Sequence, residues 1–86
     1  MKKFTEKKVI RYVVASIDNT GKTIYLRSLH DYKWEIVTDI EVATKANSRA
    51  VAAMIYENYK TDMNGAKDES WVVIPLEICW NLIDER

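Results

Sequence analysis

One stretch of the chain, residues 48–60, has the residue spacing of an α-helix, and it constrains the fold more than any other feature. Ser48 opens it, and a serine hydroxyl there can accept from a free backbone N–H of the first turn. One side of this helix then carries apolar residues and the other side polar ones. The first side consists of Ala50, Val51, Met54, Ile55 and Asn58. The second consists of Arg49, Ala53, Glu57 and Lys60. A single helix with one apolar side needs a sheet to cover that side.

Four other segments have the chemistry of strands and can supply that sheet. Residues 9–17, 23–29 and 33–38 are rich in β-branched and aromatic residues, and residues 71–80 repeat apolar residues at every second position. We therefore predict an α+β fold, a four-stranded, mainly antiparallel sheet with one helix packed on a face, in the order β-β-β-α-β. It forms a single domain over residues 1–86, with 1–8 a frayed lead-in. The apolar stripe of the last strand is Val72, Ile74, Leu76, Ile78 and Trp80.

Turn signals separate these segments. Residues 18–22 include Asn19 and Gly21, which tolerate positive φ, so the first two strands are predicted to form a hairpin. Asp39 is placed to cap a short helical segment at 40–44. Residues 61–70 read as a polar loop with Gly65 as its turn residue.

The register of the first hairpin follows less directly from the sequence, because a slip of one residue exchanges the two faces of a strand. The preferred pairing places Tyr12, Tyr25 and Arg27 together on one face. It buries the other face, formed by Val13, Ala15, Ile17, Ile24 and Leu26. In the last strand Pro75 cannot donate to a ladder, which indicates an edge position or a break.

Charge is balanced overall but divided between the two ends. The chain has 13 basic and 13 acidic residues, which argues against a general polyanion binder. Five of the first eleven residues are basic and one is acidic, whereas residues 61–86 hold six acidic and two basic residues. We expect the two ends to approach each other in the fold.

The residues needed for catalysis or metal binding are scarce. His30 and Cys79 are the only histidine and cysteine, so they cannot complete a tetrahedral zinc site. We expect His30 to be a solvated loop residue beside Asp31, and Cys79 to be a small buried thiol. The expectation is therefore a protein that is not an enzyme and has no cofactor or metal. With no apolar leader and no membrane-spanning run, we expect a cytoplasmic location.

Binding to another protein is the function that the composition favours. Three tryptophans and five tyrosines are many for 86 residues, and one helix shields only one face of a sheet. The predicted binding residues are Tyr12, Tyr25, Arg27 and Trp71, residue types that supply much of the energy of interfaces. An exposed edge over residues 71–76, from Trp71 to Leu76, would also allow a homodimer or strand addition.

Two alternatives use other chemistry. Tyr12, Tyr25 and Arg27 on one sheet face, near Lys8 and Arg11, would form a stacking platform for single-stranded nucleic acid or a nucleotide. The second alternative is a small oligomer that holds a ligand between its subunits.

Part of the sequence resembles small accessory proteins of phages and prophages of Gram-positive bacteria. The pattern includes a Tyr-Val-Val strand from Tyr12, the Gly21-Lys22 turn, Trp34, Asp39-Ile40 and the helix capped by Ser48. It covers residues 12–59 and no catalytic residue. The resemblance implies a compact β-rich domain with one helix. It also implies an inhibitor that occludes a host or defence protein, for example as an anti-CRISPR.

Overall fold

The computed structural model describes residues 3–63 and 71–84, with side chains at 8–63 and 71–79. It contains four strands and one α-helix, with a 3-10 turn between β3 and α1. The strands form one antiparallel sheet in the order β3-β2-β1-β4. The predicted α+β fold is therefore confirmed. The bounds are β1 Lys3–Ile17, β2 Thr23–Ser28, β3 Trp34–Val37, the 3-10 turn Ile40–Val42, α1 Arg49–Asp62 and β4 Val72–Asp84.

The longest feature is a two-stranded ribbon of β1 and β4. Their register is continuous from Lys3 opposite Asp84 to Ala15 opposite Val72. The strand boundaries predicted at residues 9 and 80 are therefore wrong, since residues 3–8 and 81–84 continue the ladder. The ribbon also brings the basic start of the chain beside its acidic end, as expected from the charge distribution.

The ribbon makes the molecule elongated. β1 pairs with β2 only from Ala15 to Ile17, so most of β1 is bonded to β4 alone. The Cα radius of gyration is 16.0 Å and the extents are 57 × 29 × 20 Å. A compact chain of this length has a radius of gyration of about 12 Å.

The turn between β1 and β2 lies within the predicted residues 18–22, and of the two residues expected to tolerate positive φ, Gly21 adopts it and Asn19 does not. Gly21 adopts a φ of +85°, which follows from its lack of a Cβ. The Asp18 carboxylate accepts from the Thr20 hydroxyl at 2.6 Å and from the backbone N–H groups of Thr20 and Lys22. The Thr20 hydrogen bond, followed by these backbone bonds, holds the pKa of Asp18 below its ordinary value.

Past this turn, β1 and β2 separate, and the segment after the 3-10 turn runs between them. Ala46 exchanges both backbone hydrogen bonds with Tyr12 of β1, while the Thr44 N–H donates to the Leu26 carbonyl of β2. The Thr44 hydroxyl also accepts from the Ser28 N–H at 2.7 Å. As predicted, Asp39 caps the short helical segment, which ends at Val42. The gap between the two strands is thus closed by backbone from a third segment.

Helix α1 begins after Ser48, whose hydroxyl accepts from the Val51 N–H at 3.2 Å, so the predicted cap is confirmed. The predicted apolar side is wrong for Val51 and Met54 and confirmed for Ile55, which packs against the core cluster. Val51 and Met54 are 44% and 62% exposed, whereas Ala52 and Tyr59 are buried. Tyr59 contacts Trp34 and Trp71 edge to face, at centroid distances of 5.5 and 5.9 Å. The aromatic partners on the sheet, which helical periodicity does not register, set the rotation of the helix.

The preferred register of the first hairpin is wrong by one residue. Ser16 lies opposite Ile24 and Ala15 opposite Tyr25. The face under α1 therefore holds Tyr12, Val14, Ile24 and Leu26, while Val13, Ala15 and Ile17 share the other face with Tyr25. The loop predicted at 61–70 is helical through Asp62, and its remainder, with Gly65, lies mostly outside the described residues.

Candidate functional site

The face of the sheet opposite α1, here called the outer face, carries a row of apolar side chains. The register puts the same side of β1 and β4 on it, in the facing pairs Ala15–Val72, Val13–Ile74, Arg11–Leu76 and Val9–Ile78. The β4 stripe predicted from the sequence therefore lies on this face, away from the helix. The Trp80 side chain, the last member of that predicted stripe, is outside the described side chains.

The exposure of this stripe distinguishes it from the core. The cluster beneath α1 consists of residues from the other face of the sheet, from the helix, and of Ala46 and Trp71, which precede α1 and β4; it includes no stripe residue. Val72 is 55% exposed, Ile17 is 67% exposed, and Ile74, Leu76 and Ile78 are half-buried. On β1, by contrast, Val13 and Ala15 are buried, with 0% and 2% exposure, so the exposed apolar surface follows β4 and Ile17. Exposed apolar surface is typical of interaction sites when it is contiguous.

Arg11 supplies a positive charge within this apolar row. It lies opposite Leu76, between Val9 and Val13 along its own strand, and is half-buried. Its guanidinium donates to the neighbouring Ile10 carbonyl at 3.1 Å. Within the described part of the chain, the ion pairs are Arg27–Glu35 and Lys60–Glu57, and Arg11 is in neither of them.

Tyr25 and Arg27 also lie on the outer face. They belong to β2, which β1 separates from β4. Tyr25 lies between Ala15 of β1 and Val37 of β3. Arg27 forms an ion pair with Glu35 on β3 at 3.3 Å, between side chains that are both about half exposed. Two of the four predicted binding residues therefore share a face, and one of these has its charge compensated.

Tyr12 does not belong to this surface. It points to the α1 side, packs against the core cluster and lies beneath the Arg49 guanidinium at 5.2 Å from its ring centroid. The expected grouping of Tyr12 with Tyr25 and Arg27 is therefore wrong, because the hairpin register differs by one residue. The nucleic-acid platform built on these three residues does not form on one face.

Trp71 is also not a surface residue. It is 8% exposed and belongs to the core cluster beside Tyr59. The expected partial exposure of this side chain is wrong, because Tyr59 of α1 covers it. Trp34 is half-buried and packs against the same cluster, as expected for a tryptophan that contributes to the core.

The open edge of β4 is obstructed at the section predicted to pair with a partner. Tyr12 directs its N–H and carbonyl to Ala46, so the opposite residue, Pro75, directs its backbone away from β1 and toward solvent. Pro75 has no N–H to offer there, and the ladder stays unbroken. The next outward carbonyl, that of Val73, accepts from Arg49 at 3.2 Å. Edge pairing at Trp71–Leu76 therefore has few free groups.

The residues considered for catalysis are placed on separate elements. His30 is exposed in the turn after β2, as expected, whereas Cys79 lies on β4, with β1 between those two strands. The expectation that Cys79 is buried is wrong: it is exposed, on a part of the ribbon beyond the helix. Among the described side chains, no group of three or more histidine, cysteine or acidic residues is arranged to hold a metal ion.

None of the helices in the described ranges combines the length and apolar character that crossing a membrane requires. Comparison of the chain with protein-family models, with curated proteins and with solved structures finds no match.

Proposed function

We propose that this chain is a non-catalytic protein-binding module and that the outer face of its ribbon is the binding surface. The observation that carries the proposal is the exposure of the β4 stripe on the face opposite α1. Covering such a stripe with a partner removes apolar area from water, at about 25 cal/mol per Å². A binding role gives a reason for the apolar side chains of β4, and for Ile17, that the fold leaves exposed or only half-buried.

The apolar row and the charge of Arg11 indicate what kind of partner would fit this surface. Arg11 lies half-buried within the apolar row, and no described carboxylate neutralises it. A fitting partner is a protein with an apolar patch and a carboxylate opposite Arg11. Where water is excluded, an arginine forms strong, geometrically defined hydrogen bonds with a carboxylate. Arginine is therefore a frequent source of binding energy in interfaces.

Within this class, we propose a phage-encoded inhibitor that occludes a host or defence protein such as a CRISPR effector. The support for this finer proposal is the sequence resemblance over residues 12–59. Occlusion requires only that the outer face cover a working surface of the partner. It needs no catalytic group on this chain.

The test compares matched variants in affinity capture from a lysate of a Gram-positive bacterium, with nuclease and at high salt. Val72→Glu and Arg11→Glu alter the outer face. Met54→Glu places the same charge on an exposed apolar position of α1, outside the surface. We expect the two outer-face variants to lose at least about tenfold in retained partner, while Met54→Glu keeps wild-type capture.

Circular dichroism of all three variants checks that each remains folded. Equal capture by folded wild type, Val72→Glu and Arg11→Glu would remove the outer face as the site. Recovery of nucleic acid alone, released by salt, would favour the nucleic-acid alternative, because phosphate contacts weaken steeply with salt.

A further inference from the structure

A groove on the other side of the molecule has a chemistry different from that of the outer face. It lies between the β2–β3 turn and the C-terminal half of α1, and its volume is about 570 Å³. Pockets of this size hold small molecules or single side chains. Its lining includes Asp31 and Tyr32 from the turn, Trp34 from β3 and Asp62 from α1.

The wall formed by the turn presents Asp31 and Tyr32. These two residues have φ of +61° and +58°, and the Lys33 N–H donates to the His30 carbonyl across them. Positive φ at both central positions defines a type I′ turn. Tyr32 is 84% exposed at the rim, and the Asp31 carboxylate forms no hydrogen bond or ion pair with the described residues.

The wall formed by the helix presents Asp62, the last residue of α1. Its carboxylate accepts from the Trp34 indole N–H at 2.9 Å, which fixes the ring at the groove. One hydrogen bond leaves a carboxylate with most of its acceptor capacity unused. The C-terminal end of a helix also carries negative partial charge, which adds to that of Asp62.

The groove therefore concentrates negative charge beside two aromatic rings. Asp31 and Asp62 line it together with Tyr32 and Trp34, and no lysine or arginine is among the residues that line it. Carboxylates attract cations directly, and aromatic faces attract them through the ring quadrupole. We infer that this groove binds an organic cation, a guanidinium or alkylammonium group, between its two aspartates.

The test follows the indole N–H resonance of Trp34 by NMR, assigned by its loss in Trp34→Phe. The probes are N-acetylarginine amide and spermidine, with N-acetylglutamine amide as the neutral control. We expect the cations to shift this resonance in a saturable way, with dissociation constants of about 1 mM. We expect the neutral probe to leave it in place. A stronger response to the arginine probe identifies a protein-borne side chain, and a stronger response to spermidine identifies a free polyamine.

Variants that replace each aspartate with a neutral residue test whether the two carboxylates bind the cation. Asp31→Asn and Asp62→Asn are expected to weaken cation binding about fivefold each, whereas Glu41→Gln, an exposed acid outside the groove, leaves it unchanged. Asp31→Asn leaves the Trp34–Asp62 hydrogen bond in place, so its result does not depend on that packing. No saturable shift with either cation would overturn the inference. So would an equal response to the neutral probe, or wild-type binding by both variants. These results are independent of the outer-face proposal, since the two surfaces share no residue.

Discussion

Three described residues have positive φ, and only one of them is a glycine. Gly21 adopts +85° without a steric cost, because it has no Cβ. Asp31 and Tyr32 adopt the same region in the β2–β3 turn, where a residue with a Cβ costs about 1 to 2 kcal/mol. Aspartate tolerates this conformation better than tyrosine does. Strain of this kind is concentrated at binding sites, and here it lies at the rim of the proposed cation groove.

Substitutions at Tyr32 and at Gly21 are expected to change the free energy of unfolding in opposite directions. Tyr32→Gly should raise the free energy of unfolding by about 1 kcal/mol, because strain is relieved and an 84% exposed ring loses little packing. Gly21→Ala should lower it by about the same amount. Each change corresponds to a shift in Tm of about 4 to 8 °C, measured by thermal denaturation.

Lys33→Gly is the control, since it introduces glycine into the same turn at an exposed residue without positive φ and should not stabilise. A lower Tm for Tyr32→Gly would mean that the tyrosine ring stabilises the turn by more than its backbone strain costs.

Between β1 and β2, a single lysine organises the segment that fills the gap in the sheet. The Lys45 ammonium donates to the carbonyls of Ile40, Glu41 and Ala43, at 2.9, 2.8 and 3.1 Å. An ammonium has three donors, so all of them are used. These bonds hold the end of the 3-10 turn and position Thr44 and Ala46 for their bonds to both strands. The lysine thus stabilises the gap indirectly, through the backbone it fixes.

Lys45→Met retains the apolar stem and removes the three donors. We expect it to lower the free energy of unfolding by about 1 to 2 kcal/mol, as measured by urea denaturation, because charged hydrogen bonds to partly buried carbonyls are lost. Lys22→Met, at an exposed turn lysine, is the matched control and should change stability little. Equal effects of the two substitutions would contradict the role given to Lys45.

For the whole molecule, the β1–β4 ribbon carries both the proposed binding surface and an open strand edge that favours association. An edge strand of 13 residues offers unpaired backbone groups to any other strand. Where the ribbon meets the helix, Pro75 and the hydrogen bond from Arg49 to the Val73 carbonyl reduce the number of free backbone groups at this edge. Outward-facing backbone at Pro75 explains how a proline is tolerated within a long ladder.

Pro75→Thr restores an outward N–H to this edge, so we expect increased self-association. The apparent mass from multi-angle light scattering should rise with concentration more steeply than for wild type. Val72→Thr is the control, since it introduces the same residue on the same strand without adding an edge donor. A monomeric Pro75→Thr at every concentration would show that the proline is not what limits pairing at this edge.

Local chemistry accounts for the parts of the fold that were predicted correctly. Ser48 caps α1, Asp39 caps the 3-10 turn, and Gly21 takes the positive φ of the first turn. Each depends on a few neighbouring residues, so each is readable from the sequence. The extension of β1 was missed because four of residues 3–8 are charged, and charged residues are poor strand formers in isolation. Both extensions form through the backbone ladder between residues 3–8 and 79–84, which are far apart in the sequence.

The candidate surface depended on information that is not local. A shift of one residue in the register of a hairpin exchanges the two faces of a strand. The observed register differs from the predicted one by such a shift, so Tyr12 lies on the face opposite Tyr25 and Arg27. The groove at the β2–β3 turn was missed for the same kind of reason. Asp31 and Asp62 are far apart in the chain and line one groove only after α1 packs on the sheet.

The sequence alone determined the number and order of elements, their caps and their turns, because these depend on residue types within a few positions of one another. Tertiary structure decided the hairpin register, the rotation of α1 about its axis and the length of the ribbon. Those choices depend on which distant parts of the chain meet: Tyr59 with two tryptophans, and the backbone of residues 3–15 with that of residues 72–84. The apolar stripe of β4 shows the difference, since its period was visible in the sequence while its position on the face opposite α1 followed only from pairing with β1.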